Sequence, residues 1–199
     1  MITDKSRDYY IGASDTHFVM MNFDTKTFQR WWQTKIGAEV MEIESVYTIA
    51  GNIYEQRILD EIFVPYRNEQ FIVGQLRVNL DGRTDQEVVE VKTSKKPYTK
   101  VRTDHWQQTQ VEMFATCLNK ARLVVYEMEE ADYSYHLIGG KTRDIDLDRL
   151  KTFTIEYDEE WVLNEYMPRF NYLTFCFNDE IVPSNDGFKE WKGVTNGTA

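Results

Sequence analysis

The chain reads as a mixed α/β (α+β) protein in which a central mixed β-sheet is flanked by helices, and three observations point there. Helical spacing dominates the first third. Period-two alternation bounded by turn residues follows, and one further helix then separates it from a second group of apolar runs. The resulting order is three helices, two strands, a helix, two or three strands and a long helix, which implies a sheet with helices packed against it. With 199 residues, 42% hydrophobic and 14% aromatic, the chain can bury a core of ordinary size.

The elements follow in order. Ser14 and Asp15 are placed to cap a short helix ending near Met21. Thr25 to Lys35 keeps helical spacing and stops at Gly37. Met41 to Ala50 is irregular and leads into a helix from Gly51 to Phe63. There Ile53, Ile58, Leu59 and Ile62 form an apolar stripe, with Glu55 on another flank. Phe71 to Leu80 alternates as a strand, Asp81-Gly82 reads as a turn, and Glu87 to Thr93 returns as a second strand. That is an antiparallel hairpin with Asp81 in its loop. A lysine-rich loop precedes a helix from Asp104 to Asn119. Leu123 to Glu129, Tyr133 to Ile138 and Phe153 to Tyr157 read as strands, and Glu159 to Phe177 as an amphipathic helix bent at Pro168. Residues after Pro183 look like a loose tail. No repeat, low-complexity stretch or Pro/Gly-rich linker divides the chain, so residues 1–199 are expected to form a single domain.

Composition excludes several classes. The charged start, Met1 to Asp8, has no apolar signal region, and no apolar run is long enough to span a bilayer. A cytoplasmic protein without membrane contact is expected. Cys117 and Cys176 sit far apart in apolar helical contexts, are expected to be reduced core residues, and are too few for a four-thiolate cluster. The net charge of −10 is awkward for binding phosphates. Yet Lys92, Lys95, Lys96, Lys100 and Arg102 cluster together, while acids concentrate at Glu127 to Glu130, Asp144 to Asp148 and Glu156 to Glu160. A basic strip on an acidic body fits DNA contact at one face. A solvated charge run has the same appearance.

The residues with the clearest chemistry are Asp81, Glu90 and Lys92. Successive side chains of a strand point to opposite faces, so Glu90 and Lys92 share one face, roughly 7 Å apart along the strand. Val89 and Val91 fall on the other face, where burial fixes the register. Two carboxylates and an ammonium converging on one point suit a magnesium-dependent phosphodiesterase: the acids hold a hard cation and the lysine orients or stabilises a nucleophilic water. An E-x-K on a strand is also what a wet face with an ion pair looks like, and an Asp-Gly is also an ordinary turn.

Further residues lie around this motif. Glu55 is either a surface acid or part of an acidic cage. Gln108 and Gln110 lie on a helix that presents Gln108, Val111 and Ala115 on one face and Trp106, Gln110, Met113 and Phe114 on another. Semi-buried glutamines there need a partner: a backbone group, a water nucleophile or a phosphate. Tyr10-Ile-Gly-Ala-Ser-Asp15 is a small-residue turn at a helix start, which either caps the helix or receives an anion, and Arg7 just before it adds positive charge.

Taken in order, Arg7, Ile11-Gly-Ala-Ser14-Asp15, Gly51-x-x-x-Glu55, Leu80-Asp81-Gly82, Glu90-Val-Lys92 and Gln108-x-Gln110-x-x-Met113 resemble the YqaJ-type viral recombinases. That group includes the lambda exonuclease and belongs to the PD-(D/E)XK nuclease superfamily. The likeness runs from Arg7 to Thr116; Leu80 stands where the family commonly has proline, and nothing after Lys120 matches.

The resemblance implies a restriction-endonuclease-like core. It implies that Asp81, Glu90 and the Val91 carbonyl hold Mg2+ (or Mn2+), one or two ions per site, with Glu55 at a second ion or its waters. Lys92 would position or activate water, and Gln108 would lie near the metal. Arg7 and Ser14 would hold a 5′-terminal phosphate, with Lys95, Lys96, Lys100 and Arg102 along the DNA. The implied activity is 5′→3′ digestion of linear double-stranded DNA from a free end, leaving 3′ overhangs. A ring-shaped homotrimer and a single-strand annealing protein are the implied partners. Rival readings are an endonuclease of the same superfamily, restriction-like or structure-specific, and a non-catalytic DNA-binding or assembly protein on the same fold.

Overall fold

The structure, a computed structural model, describes residues 10–38, 46–134 and 143–196. It has two compact units. One comprises Glu42–Phe71 and Asn79–Tyr157, and the other Met1–Met41, Ile72–Val78 and Asp158–Ala199.

The first unit carries a five-stranded mixed sheet in the order β2 (Tyr66–Arg67), β5 (Gly82–Arg83), β6 (Val88–Ser94), β7 (Lys120–Glu127) and β8 (Leu150–Glu156). All pairs are antiparallel except β6 with β7, which run parallel with Glu90 opposite Leu123 and Lys92 opposite Val125. A parallel pair needs a crossover, and α4 (Thr103–Thr116) supplies it. The alternation of β6 is as expected: Val89 and Val91 enter the core with Ala50, Tyr54, Ile58 and Leu59 of α3 (Val46–Glu61). That packing fixes the opposite face of β6 for Glu90 and Lys92.

The other unit is built on aromatic packing. A three-stranded sheet orders β1 (Ile11–Gly12), β4 (Leu76–Asn79) and β3 (Gln70–Val73), with β1 parallel to β4. A 3-10 turn at Ala13–Asp15 leads into α1 (Thr16–Val19), and α2 (Lys26–Lys35) is capped by Thr25 Oγ1, which accepts the Phe28 N–H at 3.2 Å. Phe23, Phe28 and Trp32 are buried beside Tyr172 of α7 (Met167–Asn178).

Several expectations need correction. Phe71 to Leu80 is two strands, because Gly74 turns the chain at φ +60°. Asp81-Gly82 is no hairpin turn: Gly82 opens β5 and pairs with Val89, so the tight reversal falls between Arg83 and Val88. Tyr133 and Ser134 close a helix, α5 (Glu130–Ser134), rather than opening a strand, and the remainder of that expected strand lies outside the described residues. Its reason is Asp132, whose Oδ2 accepts the Glu129 N–H at 2.8 Å and ties the turn. The long helix from Glu159 is α6 (Glu159–Trp161), a π-helical turn at Val162–Tyr166, and then α7. Pro168 has no N–H to give and crowds the carbonyl four residues back, which a widened turn relieves. The tail is not loose, since Asn185–Asn196 forms α8. Ser184 Oγ accepts the Gly187 N–H at its start, and Phe188 and Trp191 pack on Tyr172. Cys176 is buried as expected, whereas Cys117 is exposed, in the left-handed position that ends α4.

Candidate active site

The site sits where the β5–β6 ladder stops. The pairing of these strands reaches Val89 and goes no further. Two residues on, the Val91 N–H is taken by a side chain instead, donating to Asp81 Oδ2 at 2.8 Å. Within a strand a residue's N–H and C=O project to the same edge, so the Val91 carbonyl lies on the Asp81 side of β6. Asp81 is held there by Gly82: a Cβ at that position would stand 2.6 Å from Val64 Cγ1 and 3.2 Å from Leu59 Cδ2.

Glu90 is 1% exposed, and both of its identified partners meet one oxygen. The Lys92 ammonium and the Gln108 side-chain amide, the latter at 2.7 Å, donate to Glu90 Oε1. Glu90 Oε2 is buried without a hydrogen-bond partner. Glu112, one helical turn beyond Gln108, shares this arrangement: Gln108 Nε2 also donates to Glu112 Oε1 at 2.7 Å, and Glu112 Oε2 is likewise buried and unpartnered. Sequence reading passed over Glu112. Its signal was the i, i+4 spacing to Gln108, which places both on one face of α4.

Electrostatics define the site's character. Burial raises the Asp81 carboxyl well above the usual range, and the charges of Glu90 and Glu55 add to that, against Lys92 and the Val91 N–H. Burial and then the Glu90 charge do the same to Glu112. Glu55 is also raised, by burial first, with Glu90 adding and the Gln56 side chain and Lys92 opposing. Burial alone would lower the Lys92 ammonium, but Glu90 and Asp81 outweigh it and hold Lys92 above its ordinary value, so it stays charged. Four acidic side chains therefore lie within electrostatic reach of one ammonium, and acids outnumber the base there.

Another neighbour is His105, on the first turn of α4. Tyr98 Oη accepts the Arg102 backbone N–H at 3.0 Å and lies 2.8 Å from His105 Nδ1, with the two rings stacked. Burial and the charge of Lys92 pull the His105 imidazole down to about 4, so it is neutral at physiological pH. Gln110, by contrast, is fully buried and donates to the Glu156 carbonyl at 2.9 Å, which answers its need for a partner structurally.

A divalent cation fits this donor set. Asp81, Glu90 and the Val91 carbonyl are all oxygen donors, suited to a hard ion, and the orphaned Glu90 Oε2 is the kind of atom such an ion would satisfy. Among the described residues, no three acidic, histidine or cysteine side chains already converge as a closed metal cage. Magnesium does not require one, since it is commonly held by one or two carboxylates and keeps several waters.

The basic loop joins the two elements of the site, leaving β6 after Ser94 and entering α4 at Thr103, ahead of Gln108. Lys95 reaches Glu130 at 3.8 Å and lies over the Tyr133 ring, and Arg102 pairs with Asp104. Lys100 and Arg102 line an open hollow with Thr103, Asp104 and Gln107, and Lys96 is exposed. Ser14 belongs to the other unit and makes no cap. The Gly12 N–H there goes to Asp15 Oδ2 at 2.8 Å, and Asp15 is in turn paired with Lys35 Nζ at 2.6 Å. Arg7 lies outside the described residues.

No family model matches the chain, and no curated protein does. Solved structures do. The alkaline exonuclease LHK-Exo of Laribacter hongkongensis superposes with a TM-score of 0.63 at 16% identity, over 98% of this chain and 97% of that one. The same enzyme in complex with dAMP gives 0.60 at 15% identity. A phage-related exonuclease of Haemophilus somnus 129PT gives 0.61 at 15% identity, over 85% of this chain and 94% of that one. At such identities the likeness is one of fold, and over nearly its whole length the chain has the fold of these exonucleases.

Proposed function

We propose that this chain is a divalent-cation-dependent deoxyribonuclease that digests linear double-stranded DNA from a free end, 5′→3′, and leaves 3′ overhangs for single-strand annealing recombination. The observation that carries the reading is the meeting of Asp81, Glu90, Lys92 and Gln108 at the point where the β5–β6 ladder opens. The shared fold with exonucleases supports it, as does the dAMP complex of LHK-Exo, since a mononucleotide is what digestion from an end releases.

The chemistry is in-line hydrolysis of a phosphodiester. Asp81, Glu90 and the Val91 carbonyl would hold a divalent cation, Mg2+ or Mn2+, which would supply charge neutralisation at the phosphoryl group and lower the pKa of water. Lys92, kept charged by Glu90 and Asp81, can donate to an attacking water and stabilise the hydroxide as it forms, but it is a poor acceptor for the water's proton. Glu55 adds a carboxylate at the margin of the site. Lys96, Lys100 and Arg102 supply positive potential beside it, while Arg7 and Ser14 are assigned to the 5′-phosphate. A ring-shaped homotrimer and a single-strand annealing partner belong to the same reading, by resemblance to the family.

End-labelled linear duplexes, with and without a 5′-phosphate, would be incubated with Mg2+ beside covalently closed circular DNA. Expected are mononucleotides from the phosphorylated linear substrate and intact circles, with Lys92→Ala lowering kcat by about a hundredfold or more while leaving the fold unchanged. Cut circles would assign an endonuclease instead. A fully active Lys92→Ala would remove the assigned site.

A further inference from the structure

Glu112 is a fully buried carboxylate that the proposed reaction does not use. Such a group is costly to bury, and an apolar side chain of similar size in its place is often neutral or stabilising. Its presence therefore calls for a reason, and the hydrogen bonding of Gln108 provides one. A primary amide has two N–H bonds, and Gln108 directs its nitrogen to two carboxylate oxygens, Glu90 Oε1 and Glu112 Oε1, each at 2.7 Å. The reversed amide would set its carbonyl oxygen against Glu90 Oε1, which Lys92 holds as an acceptor, so Glu90 dictates the orientation and leaves the second N–H for Glu112. With Glu90 alone, the half-buried Gln108 would be free to swing toward solvent. Glu112 closes that route, being one turn along the same helix and thus fixed relative to Gln108.

We infer that Glu112 is a positioning residue: by accepting the second N–H of Gln108 it holds that amide against Glu90 Oε1, and so presents the unpartnered Glu90 Oε2 to a divalent cation. The inference deepens the proposed function and rests on it for the nature of the ion, while the clamp itself rests on hydrogen-bond geometry. Lys92 and Gln108 both load the same oxygen of Glu90, which is what leaves the other one available.

The test compares the full chain with Glu112→Leu, Glu112→Gln, Gln108→Leu and the double variant Glu112→Leu/Gln108→Leu. Mg2+ binding without DNA is measured by calorimetry, kcat and KM on a linear duplex by product release, and the Gln108 side-chain amide by 1H–15N spectroscopy. Glu112→Leu is expected to weaken Mg2+ binding and lower kcat by about tenfold each, with KM for DNA unchanged. Glu112→Gln, which keeps an acceptor oxygen, should recover most of that loss. Glu112→Leu should add almost nothing in the Gln108→Leu background, since the two act as one unit. Glu112→Met, of similar length and without an oxygen, gives the same comparison where leucine disturbs packing. Unchanged Mg2+ affinity in Glu112→Leu, or losses that add in full with Gln108→Leu, would overturn the inference. A wild-type chain that neither binds Mg2+ nor cleaves would sink the nuclease reading instead. The clamp would then be decided by the amide signals, which shift in Glu112→Leu if it exists and stay in place if it does not.

Discussion

Asp81 and Glu112 carry charges that the folded chain resists, and this has a direct thermodynamic reading. Their folded carboxyls titrate above the unfolded value of about 4, so between those two points the native state holds more protons than the unfolded one. Stability from these groups is therefore full below the unfolded pKa and is lost as pH rises through the folded one. Thermal denaturation without divalent ions should show this loss as pH rises above the unfolded carboxyl value of about 4, and Mg2+ should restore the midpoint most at the higher pH. Asp81→Asn keeps an oxygen for the Val91 N–H and discards the charge. It should raise the midpoint of the ion-free protein at neutral pH and shrink the Mg2+ effect. A lowered midpoint with an intact Mg2+ response would contradict the site's electrostatics. The shared face of Glu90 and Lys92 was legible in the sequence, because period-two alternation along one strand dictates it. Glu112 was not, because a glutamate in a helix normally signals solvent and nothing local reveals that it is buried. Ser14 shows the opposite failure: a plausible cap in sequence, it is displaced by Asp15, whose side chain returns to the Gly12 N–H.

Gly82 matters most at the scale of elements. It lets β5 lie against α3 and the Val64 segment, and it fixes the preceding Asp81. Gly82→Ala should cost about 1–3 kcal/mol by overpacking, measured by chemical denaturation, and should reduce activity beyond what the lost stability explains. An alanine variant as stable and active as the parent would show that the contact yields easily. Asp-Gly reads as a turn because that dipeptide usually makes one, and only the crowding from Leu59 and Val64 gives the glycine its other purpose. The C-terminal helix was missed for a similar reason. Ser184 as its cap and the Phe188–Trp191 spacing are visible in the sequence, but a polar stretch of modest apolar content becomes a stable helix only when Tyr172 is there to receive those rings.

For the whole molecule, the net charge of −10 makes the proposed DNA contact a local matter. With the basic loop as the contact, replacing Lys96 and Lys100 by Gln should reduce the magnitude of the slope of log K against log salt by about 2, read by anisotropy of a labelled duplex without divalent ions. An unchanged slope would move the DNA path elsewhere. The sheet flanked by helices was legible from the order of periodicities, and among the described residues no helix is long and apolar enough to cross a membrane. The division into two units was not legible, because one of them is assembled from three separated stretches and no linker marks its borders. That discontinuity sets an order of events during synthesis. Every strand of the five-stranded sheet has been made once Glu156 emerges from the ribosome, so the unit built on that sheet can close early. Phe23 and Phe28 must wait for Tyr172 and Phe188, made at the far end of the chain, and until then the nascent protein carries exposed aromatic surface that a holding chaperone could cover.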